Sequence, residues 1–278
     1  MAIRVKIPIQ ELTISIQEIA SLKDLSYGIF DEHGCLDEYK VGKTTYLYDK
    51  NRLARGIEVL IDHHDVLLNL SLPTSPSEIE LFYILIEKIC DLFHRNQFYR
   101  NEELVFLHEL PSFIHQDLSL CHELLKKIHE KLQSHEFERF IILGIMNPIS
   151  IGLKEIHEIN DSLNHLEEFL DRLQKMDVFY ANPTIYKKKD NSLFGGYFIG
   201  ENIETVIPTK PDRMFNEKEF IEDWFVFFPE QKVLNYDFFI QHVPSTYYDE
   251  NHRIVNLTRN DVNELFDKHY DEMNKERY

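Results

Sequence analysis

Around residue 75 the hydrophobic period of the chain changes, and that change constrains the fold more than any motif. Before it, Ile3, Val5, Ile7 and Ile9 alternate, as do Leu12, Ile14 and Ile16. A period of two places successive side chains on opposite faces of a strand. Residues 57–60 and 66–72 flank Asp62-His63-His64-Asp65, which predicts a hairpin with a polar four-residue loop. Ser75-Pro76-Ser77-Glu78 then offers an N-cap, a proline at the first helical position and a glutamate at the third, the pattern of a capping box. Behind it Ile79, Phe82, Tyr83, Ile86, Ile89, Cys90 and Phe93 recur at helical spacing, predicting a helix over 76–95.

A second helix is expected over 111–133 from Ile114, Leu118, Cys121, Leu125, Ile128 and Leu132, a stripe narrow enough to pack on one partner helix. A strand follows at 139–145 and a third helix at 161–176. The remainder returns to β: a hairpin of 178–187 with 193–199, a strand at 224–228, a short helix at 235–241 and a strand at 253–257. A closing helix opens at Thr258, with Asp261 three residues on. Strands at both chain ends, helices between them and hairpins instead of βαβ repeats indicate an α+β fold with mostly antiparallel sheet. No linker composition interrupts the chain, so residues 1–278 are expected to form one unit, any subdomain boundary lying near 135–155.

Charge excludes more than it assigns. Thirty Lys and Arg stand against 48 Asp and Glu, a formal net charge of −18. A phosphate backbone or an anionic membrane is held by a basic patch that releases counterions, so neither is an expected partner. Nine glycines leave no phosphate-cradling loop, and neither GxxxxGK[ST] nor GxGxxG occurs; no cofactor is expected. Cys35, Cys90 and Cys121 are odd in number and far apart, which suits a reducing, cytoplasmic compartment. Arg4 and Lys6 break what a signal peptide would need as an apolar run, so the N-terminus reads as a strand. No stretch is apolar for the length of a membrane span.

Histidines and carboxylates supply the candidate chemistry. His108, His115, His122 and His129 are spaced by seven, about 700° of helical rotation, so those on the second helix share a face. They lie about 10.5 Å apart along the axis, too far for two to share a metal ion. Each follows a stripe residue and is expected at the border of the buried face. Asp31 and His33, Asp62 and His64, and Asp249 and His252 are the candidate catalytic or metal-ligating groups, from three separate polar loops. A metal-assisted hydrolase would need those loops to converge, because ligands lie about 2.0–2.6 Å from one ion. Asp249 and His252 alone could form a base and its orienting carboxylate. The aromatic residues of 180–198 and 224–228 are expected mainly in a core.

Several phrases carry a resemblance: Leu25-Ser-Tyr-Gly-Ile-Phe-Asp-Glu-His-Gly-Cys-Leu-Asp-Glu-Tyr39, Arg55-Gly-Ile-Glu-Val59, Leu72-Pro-Thr-Ser-Pro-Ser-Glu-Ile-Glu-Leu-Phe82, Asn147-Pro-Ile-Ser150 and Glu222-Asp-Trp-Phe-Val226. Together they resemble a domain-of-unknown-function family of low-GC Gram-positive bacteria, over nearly the whole chain. The resemblance implies no activity and assigns no catalytic residue. The expected function is a non-catalytic cytoplasmic protein that binds another protein, with a basic protein as its partner. The alternatives are the metal-assisted hydrolase and a small-ligand binder.

Overall fold

Alternation of side chains decides the architecture from the first strand. In Ala2–Pro8 (β1), Ile3, Val5 and Ile7 are buried while Arg4 and Lys6 are exposed. The structure is a computed structural model that describes all residues except 10–13, 31–35, 38–43, 63, 212–213, 217–218, 222 and 276–278. The chain groups into two compact units, Met1–Met176 and Asp177–Tyr278.

In the first unit β1 is followed by Ile16–Ser21 (α1), Ser26–Phe30 (β2), Leu36–Asp37 (β3), Thr45–Asp49 (β4), Arg52–Ile61 (β5) and Asp65–Ser71 (β6). Pro76–Leu92 (α2), Gln97–Arg100 (β7), Glu103–Phe106 (β8) and Leu110–Gln133 (α3) come next. Phe140–Leu143 (β9), Pro148–Ile151 (β10), Leu153–Ile159 (α4) and Leu163–Gln174 (α5) complete it. The eight strands β1 to β8 form one sheet in the order β3-β2-β4-β5-β6-β1-β7-β8, antiparallel at every pairing. One face carries Ile3, Val5, Ile57, Val59, Val66 and Leu68 into a core shared with Ile79, Phe82 and Ile86 of α2. An antiparallel sheet with one face in a core and one toward solvent reads as clean alternation, which is why it was legible. The expected α+β class is what forms, and α3 packs on α2 as its narrow stripe requires. The pair β9–β10, which falls within residues 135–155, lies inside this unit.

Three local expectations change. Ile14 and Ile16 do not belong to a strand. The Ser15 hydroxyl accepts from the Glu18 amide at 3.2 Å while the Glu18 carboxylate accepts from the Ser15 amide at 2.7 Å, and α1 begins there. Two orphan amides satisfied reciprocally outweigh a three-residue alternation; Leu12 lies outside the described residues. At Ser75 only half of the box forms. The Ser75 hydroxyl caps the Glu78 amide at 3.2 Å, but the Glu78 carboxylate turns into the fold. It accepts from the Gly56 amide at 2.6 Å, the Arg55 amide at 3.1 Å and the Thr74 hydroxyl. The backbone of β5 bends at Gly56, where φ is +80°, a region L side chains rarely adopt. Two amides freed from the ladder by that bend need a buried acceptor, and Glu78 provides it. Third, one helical histidine leaves the border of the buried face; His108 precedes α3 in a single turn of 3-10 helix, as its place ahead of residue 111 requires. His115 is exposed, and His122 and His129 are half-buried beside Cys121 and Ile128, bordering the core.

The stripe of α3 also buries a charge. Asp117 is 1% exposed; it accepts from Arg100 Nη2 at 2.5 Å and from the Tyr83 hydroxyl, with Phe113 stacked over Tyr83 and under the guanidinium. The group joins α2, α3 and β7.

The second unit contains Phe179–Tyr180 (β11), Thr184–Lys187 (β12), Leu193–Phe198 (β13), Thr205–Pro208 (β14), Met214–Asn216 (β15) and Glu219–Phe220 (β16). Asp223–Phe228 (β17), Lys232–Asn235 (β18), Tyr236–His242 (α6), Thr246–Asp249 (β19), His252–Val255 (β20) and Arg259–Lys275 (α7) follow. Its two four-stranded sheets have the orders β11-β14-β20-β19 and β12-β13-β17-β18. The β12–β13 hairpin forms as expected, whereas β13 and β17, like β11 and β14, run parallel. Trp224, Val226, Leu234, Tyr236, Phe239 and Leu265 share one core. No helix among the described residues is long and apolar enough to cross a membrane.

Two outcomes follow for the first unit. Asp117→Ala leaves Arg100 with its charge half-buried and unpaired, so urea unfolding should show a loss of about 3–5 kcal/mol. Burial raises the Glu78 carboxyl above its ordinary 4.5, despite hydrogen bonds from Thr74, Gly56 and Arg55 that pull it down. The folded chain therefore holds this proton more tightly than the unfolded chain. Its contribution is complete below pH 4.5 and is lost as pH climbs through the raised folded value. Glu78→Gln removes that titration, so the variant should gain stability relative to the parent as pH rises from about 4 to about 8. A difference constant across that range in paired melting curves would contradict it.

Candidate functional site

Of the two candidate loops among the described residues, one builds a defined constellation. β19 pairs with β20, and a register shift between Tyr247 and Asp249 brings Asp249 opposite His252. β20 pairs with β14 and β14 with β11, in registers that put His252, Pro208, Val206 and Tyr180 on one face of the sheet. The result is a continuous chain of polar contacts: Asp249 Oδ1 lies 2.7 Å from His252 Nδ1, and His252 Nε2 lies 2.6 Å from the Tyr180 hydroxyl. Asp249 is wholly buried and His252 nearly so, while Tyr180 is half-exposed. A carboxylate only accepts, so Nδ1 carries the proton, and in the neutral imidazole Nε2 accepts from the phenol. Both ring nitrogens are thereby engaged. Asp249 Oδ1 also accepts from the Asn251 amide at 2.9 Å, closing the turn between β19 and β20. The arrangement orients a phenol as a carboxylate and imidazole orient a reacting group, and it pins the β19–β20 turn to β11.

The candidates of the other described loop are placed differently. Asp62 and His64 are exposed at the tip of the β5–β6 hairpin in the first unit. Asp62 Oδ1 accepts from the backbone amides of His64 and Asp65, both at 2.8 Å, so this carboxylate shapes the tip. Asp31 and His33 lie outside the described residues, as do His63 and Cys35. Among the described residues, no group of three or more His, Cys, Asp and Glu side chains is placed to hold a metal ion.

A second locus was only partly legible. The aromatic residues of β12, β13 and β17 divide between the two faces of their sheet. Tyr197, Trp224 and Phe228 enter the core, while Tyr186, Phe194, Phe198, Phe225 and Phe227 share the opposite face. On that face Tyr186 stacks on Phe194 at 5.0 Å and Phe198 on Phe227 at 5.1 Å. Edge-to-face contacts join Phe194 to Phe225 and Tyr186 to Phe227, each at 5.9 Å. The Gly195-Gly196 doublet makes both faces possible. Trp224 lies against Gly195 on the core side and Phe227 against Gly196 on the other, and a Cβ at either position would overlap a ring. Phe198 is 51% and Val233 of β18 40% exposed, so this face meets solvent. Strict alternation of Phe225 and Phe227 with Trp224, Val226 and Phe228 was the available signal; it is masked because every residue of the run is apolar.

The family described as Domain of unknown function (DUF4299) matches residues 2–265. The chain belongs to this family. No curated protein and no solved structure matches it. The family seen in the sequence phrases is thus shown over nearly all of the chain, and it brings no assigned residue to either locus.

Removing the Asp249 carboxylate would leave His252 Nδ1–H and the Asn251 amide without their buried acceptor. Asp249→Ala is expected to destabilise the second unit by about 1–3 kcal/mol, and Tyr180→Phe by about 1 kcal/mol. Trp224, the single tryptophan and a core residue of that unit, gives the readout by fluorescence. An unshifted transition for Asp249→Ala would remove the pin from the account.

Proposed function

We propose that this chain is a non-catalytic cytoplasmic interaction protein that docks a basic protein partner on the aromatic face of the β12-β13-β17-β18 sheet. The observation that carries the reading is that face itself: five aromatic rings in mutual contact, with Phe198 and Val233 open to solvent. Aromatic side chains bury large area at low entropic cost, and contiguous exposed apolar surface of this kind marks binding sites. The Lys188–Asp223 ion pair, 2.5 Å and exposed, supplies a polar rim where the face ends. Charge supports the nature of the partner: at −18, long-range attraction accelerates encounter with a basic protein more than it adds affinity. The free thiols of Cys90 and Cys121, buried in the first unit, suit a reducing compartment.

The docking face is tested by replacing its most exposed members. In a pull-down from host lysate at low salt, a basic protein should be retained by the parent chain and released as salt is raised. Retention should fall about tenfold or more for the double variant Phe198→Ser with Val233→Ser, since hot-spot truncations cost about 2 kcal/mol or more. Both side chains are about half exposed and Phe198 stacks on Phe227, so melting curves followed through Trp224 should shift by no more than the loss of one surface ring contact, about 1 kcal/mol, and the chain stays folded at the pull-down temperature. A variant that holds the same partner equally well would exclude this face.

A further inference from the structure

We infer that the solvent face of the first unit's sheet binds a net-neutral zwitterion of dipeptide size with apolar side chains. The site is a groove of about 570 Å3 across β5, β6, β1 and β7, within the range of about 300–1,000 Å3 typical of small-molecule sites. It is independent of the docking face, which lies in the other unit.

Strand register arranges the groove into two rows. In the first, Glu58 stands opposite Asn69 and Asn69 opposite Arg4. In the second, Leu60 stands opposite Leu67, Leu67 opposite Lys6, and Lys6 opposite Tyr99. The polar row is ordered by charge: a carboxylate, then an amide, then a guanidinium. Asn69 Nδ2 donates to Glu58 Oε2 at 2.9 Å, which fixes the amide with its oxygen turned away from that carboxylate. Asn69 Oδ1 is buried and accepts no hydrogen bond from the protein, and a buried acceptor of this kind costs about 1–3 kcal/mol until a donor reaches it. The Arg4 guanidinium is exposed and has no ion pair among the described residues. Lys6, beside it, lies over the Tyr99 ring at 5.5 Å and 3.5 Å from Asp65.

A dipeptide presents the complementary groups in the same order: an ammonium toward Glu58, a peptide N–H toward Asn69 Oδ1 and a carboxylate toward Arg4 and Lys6. Glu58 and Arg4 sit two strands apart, about 10 Å at their bases. Two residues span about 7 Å, and the long side chains at both ends cover the difference. The half-buried Leu60 and Leu67 and the Tyr99 ring offer an apolar floor for the ligand's side chains. A simple anion would meet the Glu58 carboxylate and the field of an acidic protein, whereas a net-neutral zwitterion approaches without long-range repulsion.

The probe is L-leucyl-L-phenylalanine, compared with its N-acetylated and C-amidated forms by calorimetric titration of the full chain. The free dipeptide should bind saturably, and each cap should weaken binding about tenfold, the loss of one charge-assisted contact. Arg4→Gln should shrink the amidation penalty to the part that Lys6 still imposes, and Glu58→Gln should bind the free and acetylated forms alike, while Arg172→Gln, on an exposed part of α5, should behave as the parent. No saturable binding of the free dipeptide, or equal binding of all three forms to the parent chain, overturns the proposal without reference to any variant. An undiminished amidation penalty in Arg4→Gln overturns it as well.

Discussion

The first unit depends on the insertion of β1 between β6 and β7. Hydrogen bonding on both edges of Ala2–Pro8 joins residues near 70 and near 100 to the start of the chain, turning hairpins into one eight-stranded sheet. Because the pleat alternates with a period of two, the same pairing that sends Ile3, Val5 and Ile7 under α2 sets Arg4 and Lys6 beside Asn69, Leu67 and Tyr99 on the other face. Core and groove are therefore two consequences of one register. A slip by one residue would exchange them.

Buried carboxylates complete what the sheets and helices leave unsatisfied. Glu78 receives the two amides that the bend at Gly56 takes out of the ladder. Asp117 holds Arg100 and Tyr83 between α2, α3 and β7. Asp249 receives an amide of its own turn and an imidazole proton. In each case a buried carboxyl is tolerated because several donors converge on it, and in each case the donors come from a different segment or from backbone. That geometry is not local: in sequence Glu78 is a cap residue, Asp117 carries no signal of its own, and Asp249 is marked only by its neighbour His252. Asp117 lies between the stripe residues Ile114 and Cys121, and only its partner at position 100 makes it a core residue.

The two candidate loci differ in how they could be read. Asp249 and His252 are three residues apart, so their pairing was available to a local reading; Tyr180, 72 residues away, was not. The outer aromatic face is hidden for another reason. When both faces of a strand are apolar, alternation vanishes and a run such as Trp224-Phe-Val-Phe-Phe228 looks wholly buried. The Gly195-Gly196 doublet is what allows rings to lie against the backbone on both sides.

The sequence alone determined the period of each main element, and with it the α+β class, the position of α2, α3 and α5, the β5–β6 and β12–β13 hairpins and the Ser75 cap. It also determined family membership and the acidic balance. These are local or additive properties, carried by residues within a few turns of each other. Tertiary structure decided everything that needs two distant segments: the central place of β1, the parallel pairing of β13 with β17, the donors around Glu78 and Asp117, and the Tyr180 end of the polar chain from Asp249. Side-chain chemistry is written residue by residue, but which groups meet is fixed by strand order and register, and those are set by the cooperative burial of the whole sheet rather than by any one segment.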